Sequence, residues 1–276
     1  MITDWETHKI MVSHLLPERQ PEVYRSLLEA LGREAVALIP DTLDIWCRDY
    51  MPVQTRSHRF VQFTYKPDYL KKEPHLRTPP EVCRLPFMTN YVFSTLIVDG
   101  GNVVSNGRLT IMTEKVFSEN PDLSRSEVIS QLETLLETEC LFVPVEKGDI
   151  FGHTDGMVRF VSENVVVMND YSTIDPKLGQ KIHSELEKRS LDIELLPYVP
   201  DETIPSKNND VPPAIGVYVN FLRVGNLVLM PVFGLPEDEL ALRKIESLLP
   251  GVRVIPVSSF ELALEGGVLN CITWNY

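Results

Sequence analysis

The chain has no run approaching the ~18 consecutive apolar residues that a membrane-crossing helix needs, so no membrane association is expected. Cysteine is scarce. Four residues, at positions 47, 83, 140 and 271, are too few and too scattered for a disulfide framework. Positive charge is in deficit, with 26 Lys and Arg against 39 Asp and Glu, and the formal net charge is −13. That argues against a nucleic-acid backbone as partner and suits a cationic ligand. The opening stretch MITDWETHKI has neither a basic leader nor an apolar core, so no secretory signal is expected and a cytoplasmic protein is. CxxC, HxxxH, HExxH and calcium-loop spacings are all missing, so neither a metal nor a cofactor is expected. Hydrophobic residues still make up 43% of the 276, ordinary for a globular chain that buries roughly 75% of its unfolded surface.

What is present is a repeat. Four amphipathic segments read as helices: Pro21 to Leu31, Ser124 to Glu139, Asp175 to Leu191 and Pro236 to Leu249. The second opens with Ser124 and Glu127, the spacing of a capping box. Each is followed by a short apolar strand that ends in proline: Val36 to Pro40, Leu141 to Pro144, Ile193 to Pro197 and Val252 to Pro256. Proline cannot continue a central ladder, so each is expected to mark a strand's exit into a loop. Leu85-Pro86 is the fifth candidate, giving proline spacings of 46, 58, 53 and 59 residues. Asp49, His153 and Glu265 each lie nine residues after their proline, and Asp99 thirteen after Pro86. Units of this kind predict one quasi-symmetric domain over 1–276, its equivalent loops converging on a central axis.

Three loops concentrate polar chemistry. The first reads DIWCRDYMP over 44–52, and Trp46, Arg48 and Asp49 are its candidate binding residues. The second, GDIFGHTDGMVRFV over 148–161, carries His153 and Asp155. If Thr154 lies in an extended strand, His153 and Asp155 face the same side, an imidazole beside a carboxylate able to move protons. The third, EGGVLNCITW over 265–274, brings the paired Gly266-Gly267 and then Cys271. The glycines permit a sharp turn and close approach of backbone to a ligand. A papain-like protease is a poor fit, since it places Cys before His and its local signature is absent.

WCRDYMP, the DGGN segment at 99–102, GHTDGMVRF, VYVNF at 217–221 and GGVLNCITW occur in that order. Together they resemble the agmatine deiminase and bacterial peptidylarginine deiminase family, from about residue 40 to the C-terminus. The resemblance implies a pentein fold, a five-bladed α/β propeller with pseudo-fivefold symmetry. It also implies Cys271 as nucleophile, His153 as acid and base, Asp155 as its HxD partner, and Asp49 as a guanidinium-binding carboxylate. Asp99 takes an acidic position where agmatine deiminases usually carry Glu, and Asn220, Trp46, Arg48 and Gly267 are further candidates for substrate contact. Asn270 stands where agmatine deiminases usually have His, and the stretch before Trp46 is shorter than theirs.

The implied partner is a small guanidino cation, namely agmatine, an arginine derivative or peptidyl arginine. The implied reaction is cysteine-dependent hydrolysis to a ureido product and ammonia. Transfer of the amidino group to an amine uses the same residues, and a non-enzymatic guanidine-binding protein is a third reading. Residues 65–86 and 200–213, the longest irregular stretches, are expected to be binding loops or surface excursions. Whether the chain forms a homo-oligomer is not legible in its sequence.

Overall fold

Apolar residues four apart bury one stripe of each long helix. Pro21–Leu31 buries Val23 and Leu27, and Pro176–Glu187 buries Leu178, Ile182 and Leu186. Arg125–Leu136 buries Val128, Leu132 and Leu136, and Glu237–Leu248 buries Ala241 and Ile245. Each fully buried Leu or Ile contributes on the order of 2 kcal/mol. Ser124 and Glu127 form the expected capping box, with the Glu127 carboxylate 2.8 Å from the Ser124 amide. The C-terminal ends fall earlier than the apolar pattern suggests. Glu137 turns left-handed at φ 58°, which frees Glu139 to start a strand, and the third helix stops at Glu187.

The computed structural model describes residues 1–201, 203–207 and 211–276. Among these, fifteen short strands form five three-stranded sheets. Four follow the chain: Val53–Gln54 with Phe60–Thr64 and Tyr91–Ile97; Val104–Ser105 with Leu109–Thr113 and Glu139–Val143; Val158–Phe160 with Val165–Asn169 and Asp192–Leu196; and Leu222–Val224 with Leu227–Val232 and Arg253–Ser258. In each, the first strand is antiparallel to the middle one and the third is parallel to it. A parallel pair requires a crossover, and in three of the four sheets a long helix supplies it. The fifth sheet joins the two ends of the chain. Trp274–Asn275 pairs antiparallel with Ile10–Ser13, which runs parallel to Val36–Ile39 after the Pro21–Leu31 helix. The same three-strand pattern is thus completed by residues more than 260 positions apart.

Two expectations from the prolines need correction. Pro256 lies inside Arg253–Ser258, opposite Met230, rather than at its exit. That strand is the outer one of its sheet, where a missing N–H costs no ladder bond on the free edge. Leu85-Pro86 ends no strand. The third strand of its sheet is Tyr91–Ile97, rich in β-branched and aromatic residues, and the segment before it forms only short turns and the one-turn helix Pro80–Cys83. Among the described residues no helix is long and apolar enough to cross a membrane.

Candidate active site

Each sheet hands the chain to the next through a connection that leaves its third strand. These five connections carry, in order, Asp49, Asp99, His153 with Asp155, Asn220 and Cys271. All but Cys271 are buried, and Cys271 opens onto a cavity of about 670 Å³ whose walls include Trp46, Asp49, His153, Gly266 and Gly267.

His153 sits between two carboxylates. Its Nε2 is 3.1 Å from Asp99 Oδ2, and its Nδ1 is 3.6 Å from Asp49 Oδ1. Asp49 Oδ1 also accepts the Gly101 amide at 3.0 Å. Asp155 is oriented differently from the expectation. Thr154–Gly156 forms a 3-10 turn instead of continuing as a strand, and this swings Asp155 away from the ring. Thr154 Oγ1 anchors the turn by donating to Asn102 Oδ1 at 2.7 Å. The Asp155 carboxylate instead accepts from Asn270 Nδ2 at 2.6 Å and lies 3.8 Å from Cys271 Sγ. Asn220 ties this half together: its Oδ1 accepts from Cys271 Sγ at 3.4 Å and from the Asn270 amide at 3.1 Å, while its Nδ2 donates to the Asp155 carbonyl at 3.2 Å.

The charges follow from this packing. Burial opposes protonation of His153, but Asp49, the Asp99 hydrogen bond and charge, and Asp155 outweigh it and raise the ring to about 10. The ring is therefore an imidazolium at neutral pH. Burial pushes the Asp49 carboxyl up, and the charges of Asp99 and Asp155 add to that against the pull of His153. Burial also pushes the Cys271 thiol well above its ordinary range, helped by Asp155 and Asp49. An added cation would lower the cost of the thiolate.

Trp46 borders the cavity, and a Cβ on Gly267 would come within 2.5 Å of its ring, so only glycine allows that approach. Arg48 points elsewhere. Its side chain donates to the Asn270 carbonyl at 3.4 Å and to Asn275 Oδ1, and it lines a separate small pocket beside Asp4. The 65–86 excursion contributes Tyr65, Asp68, Tyr69 and Leu70 to the cavity wall. Of 200–213, Val211 reaches the wall, and residues 202 and 208–210 lie outside the described residues. Tyr69 and Asn270 also join this network, at Asp99 and Asp155, and the sequence points only to Asn270, as the neighbour of Cys271. Among the described residues no three His, Cys, Asp or Glu side chains are grouped to hold a metal ion.

This arrangement of five sheets is that of the pentein class. The structure superposes with the agmatine deiminase of Enterococcus faecalis at a TM-score of 0.82 and 18% identity, covering 100% of this chain and 94% of that one. It superposes with DDAH from Pseudomonas aeruginosa, a mutant complexed with citrulline, at 0.60 and 16% identity, covering 98% and 99%. Within that class the chain belongs to the Porphyromonas-type peptidyl-arginine deiminase family, whose model matches residues 2–276. It is 27% identical over 226 residues to a Listeria monocytogenes protein assigned as agmatine deiminase 1, covering 70% of this chain and 61% of that relative. The chain thus spans about three fifths of the length of the curated relatives that match first.

Proposed function

We propose that this protein is a cysteine-dependent deiminase that hydrolyses a guanidino C–N bond, with residues 1–276 forming one catalytic domain and the five sheets serving as blades of a five-bladed α/β propeller. One observation carries the reading. The Cys271 thiol, the His153 ring and the Asp49 carboxylate, from three different connections, line a single cavity, with Asp99 and Asp155 buried against them.

A guanidinium is planar, permanently charged and rich in paired donors, so Asp49 and Asp155 would hold it from opposite sides. Its charge compensates the two carboxylates that now hold the thiol neutral, which favours the Cys271 thiolate once substrate is bound. Sulfur attacks the central carbon and forms the C–S bond of a tetrahedral adduct. As the C–N bond breaks, His153 gives its proton to the leaving nitrogen and ammonia departs. The neutral ring then takes a proton from water, which adds to the S-alkylthiouronium. The adduct's hydroxyl gives its proton to solvent as the C–S bond breaks, releasing the ureido product and restoring the thiolate, with His153 protonated again. Asp99 keeps the ring oriented through both halves.

The test is a panel of agmatine, arginine, methylated arginines and an arginine peptide, each with and without an amine acceptor. Ammonia with a ureido product is the expected result. An amidinated acceptor would make the protein a transferase, and no turnover together with a Cys271 inert to haloacetamidines would make it a binding protein.

The glycines of the second connection set a further expectation. A Cβ on Gly101 would stand 2.6 Å from His153 Nδ1 and 2.7 Å from Asp49 Oδ1. Gly101→Ala must therefore displace one of them, and kcat should fall by at least about tenfold with a loss of about 1–3 kcal/mol in stability. Steady-state kinetics and denaturant unfolding read the two effects. Wild-type kcat in this variant would show that the pair tolerates the shift.

A further inference from the structure

The stretch after Thr64 forms a strap along the cavity wall, with two 3-10 turns, Asp68–Leu70 and Pro74–Leu76. It is held at three points, two of them to the body of the protein and one within the strap itself. Asp68 pairs with the largely buried Lys115 at 2.7 Å, Arg77 Nη2 donates to the Leu70 carbonyl at 2.8 Å, and Tyr69 reaches inward to donate its hydroxyl to Asp99 Oδ2 at 2.9 Å. The third tie differs in kind. Asp99 Oδ2 is the same oxygen that faces His153 Nε2, and Asp99 Oδ1 is buried with no hydrogen-bond partner. The whole hydrogen-bonding capacity of this carboxylate therefore passes through one oxygen, shared by the strap and the ring. Tyr69 also packs edge-on, its ring centroid 4.8 Å from Phe151 and 6.1 Å from His153. Burial, then the Asp99 charge, keep its proton on the phenol well above neutral pH, so it stays a donor.

From this geometry we infer that Tyr69 is a positioning residue: through Asp99 it sets the orientation and charge of His153, and it makes that setting conditional on Tyr69 being docked against Asp99 at the cavity wall. The inference rests on the deiminase reading for its catalytic consequence but not for the coupling itself. A hydroxyl donated to Asp99 spreads part of the negative charge that His153 would otherwise receive alone. With the strap lifted, Asp99 would keep only the ring as partner and hold the proton more tightly, which opposes its release to a leaving group. Binding against the strap and readiness of the acid would then be one event.

The experiment compares the full chain with Tyr69→Phe and Arg77→Gln. Tyr69→Phe keeps the aromatic packing and removes the hydroxyl, with its hydrogen bonds to Asp99 and Tyr65. Arg77→Gln removes a brace within the strap and leaves its ties to Lys115 and Asp99 in place. NMR of the His153 ring follows its titration, and kinetics on the substrate found above give kcat and KM. The groups whose charges bear on the ring are Asp49, Asp99, Asp155 and, more distantly, Glu119, and all are unchanged in both variants. Tyr69→Phe should move the His153 midpoint upward and lower kcat roughly tenfold, the scale of one hydrogen bond to a charged group, with KM changed far less. Arg77→Gln should leave the midpoint in place. An unmoved or lowered midpoint in Tyr69→Phe, an undiminished kcat, or an equal shift in Arg77→Gln would each overturn the inference. Should no guanidino compound react with the wild-type chain, the deiminase reading falls, while the titration still decides the coupling.

Discussion

Cys271→Ala is expected to remove ammonia release from whichever guanidino compound the wild-type protein turns over, a loss of about 10⁴-fold or more. Both halves of the proposed reaction run through one C–S bond, and nothing nearby can replace its sulfur. Cys47 is fully buried with its thiol donating to the Met11 and Ile272 carbonyls, and burial pushes Cys83 and Cys140 up to about 12. The setting of Cys271 adds a second expectation. Burial and the charges of Asp155 and Asp49 hold its thiol neutral, so a neutral alkylating reagent should react slowly with the free protein. A haloacetamidine carries the positive charge that the carboxylates lack and should react about a hundredfold faster at the same pH, protected by substrate. Residual turnover above about 1% in the alanine variant would reassign the nucleophile.

The motif residues were legible because each sits where the chain leaves a strand, and Gly, Asp and aromatic residues crowd there. The helices were legible from apolar spacing, and their ends were less so, because Glu137 and Ser190 adopt left-handed φ values that no pattern announces. Four features had no local signal. Period-two alternation placed Asp155 beside His153, yet a 3-10 turn at Thr154 gives that place to Asp99, 54 residues away. Arg48 and Asp49 are adjacent, but in the one-turn helix Cys47–Tyr50 neighbours point about 100° apart, so one faces the cavity and the other Asn275. Tyr69 lies in a stretch broken by Pro67, Pro74, Pro79 and Pro80, with no periodicity to say which side faces inward. Pairing of Trp274–Asn275 with Ile10–Ser13 is likewise a property of the closed chain alone.

His153→Gln is the second large effect: kcat should fall by about 10³-fold, within the range for loss of a positioned general acid and base. Glutamine can still donate one hydrogen bond toward Asp99, so a loss of this size would report the proton and not the shape. The pH dependence gives the sharper reading. In the wild-type protein kcat/KM reports the free enzyme, in which the Cys271 thiol is raised and His153 titrates at about 10. It should rise with pH as thiolate forms and fall at higher pH once the ring has lost its proton. The acid limb of kcat should lie at lower pH than that of kcat/KM, because a bound cation favours the thiolate. In His153→Gln the alkaline limb should vanish. Stability should change with the opposite trend. The ring's value in the folded protein, about 10, lies above its ordinary 6.5, so the stabilisation it provides is complete below 6.5 and is lost as pH rises through about 10. Below that range the variant leaves Asp49, Asp99 and Asp155 facing one another without their cation. The gap in unfolding free energy between wild type and variant should therefore be wide near pH 7 and close above pH 10. Denaturant unfolding at both pH values measures it, and a gap of equal size at each would show that the ring is not held protonated between the two carboxylates.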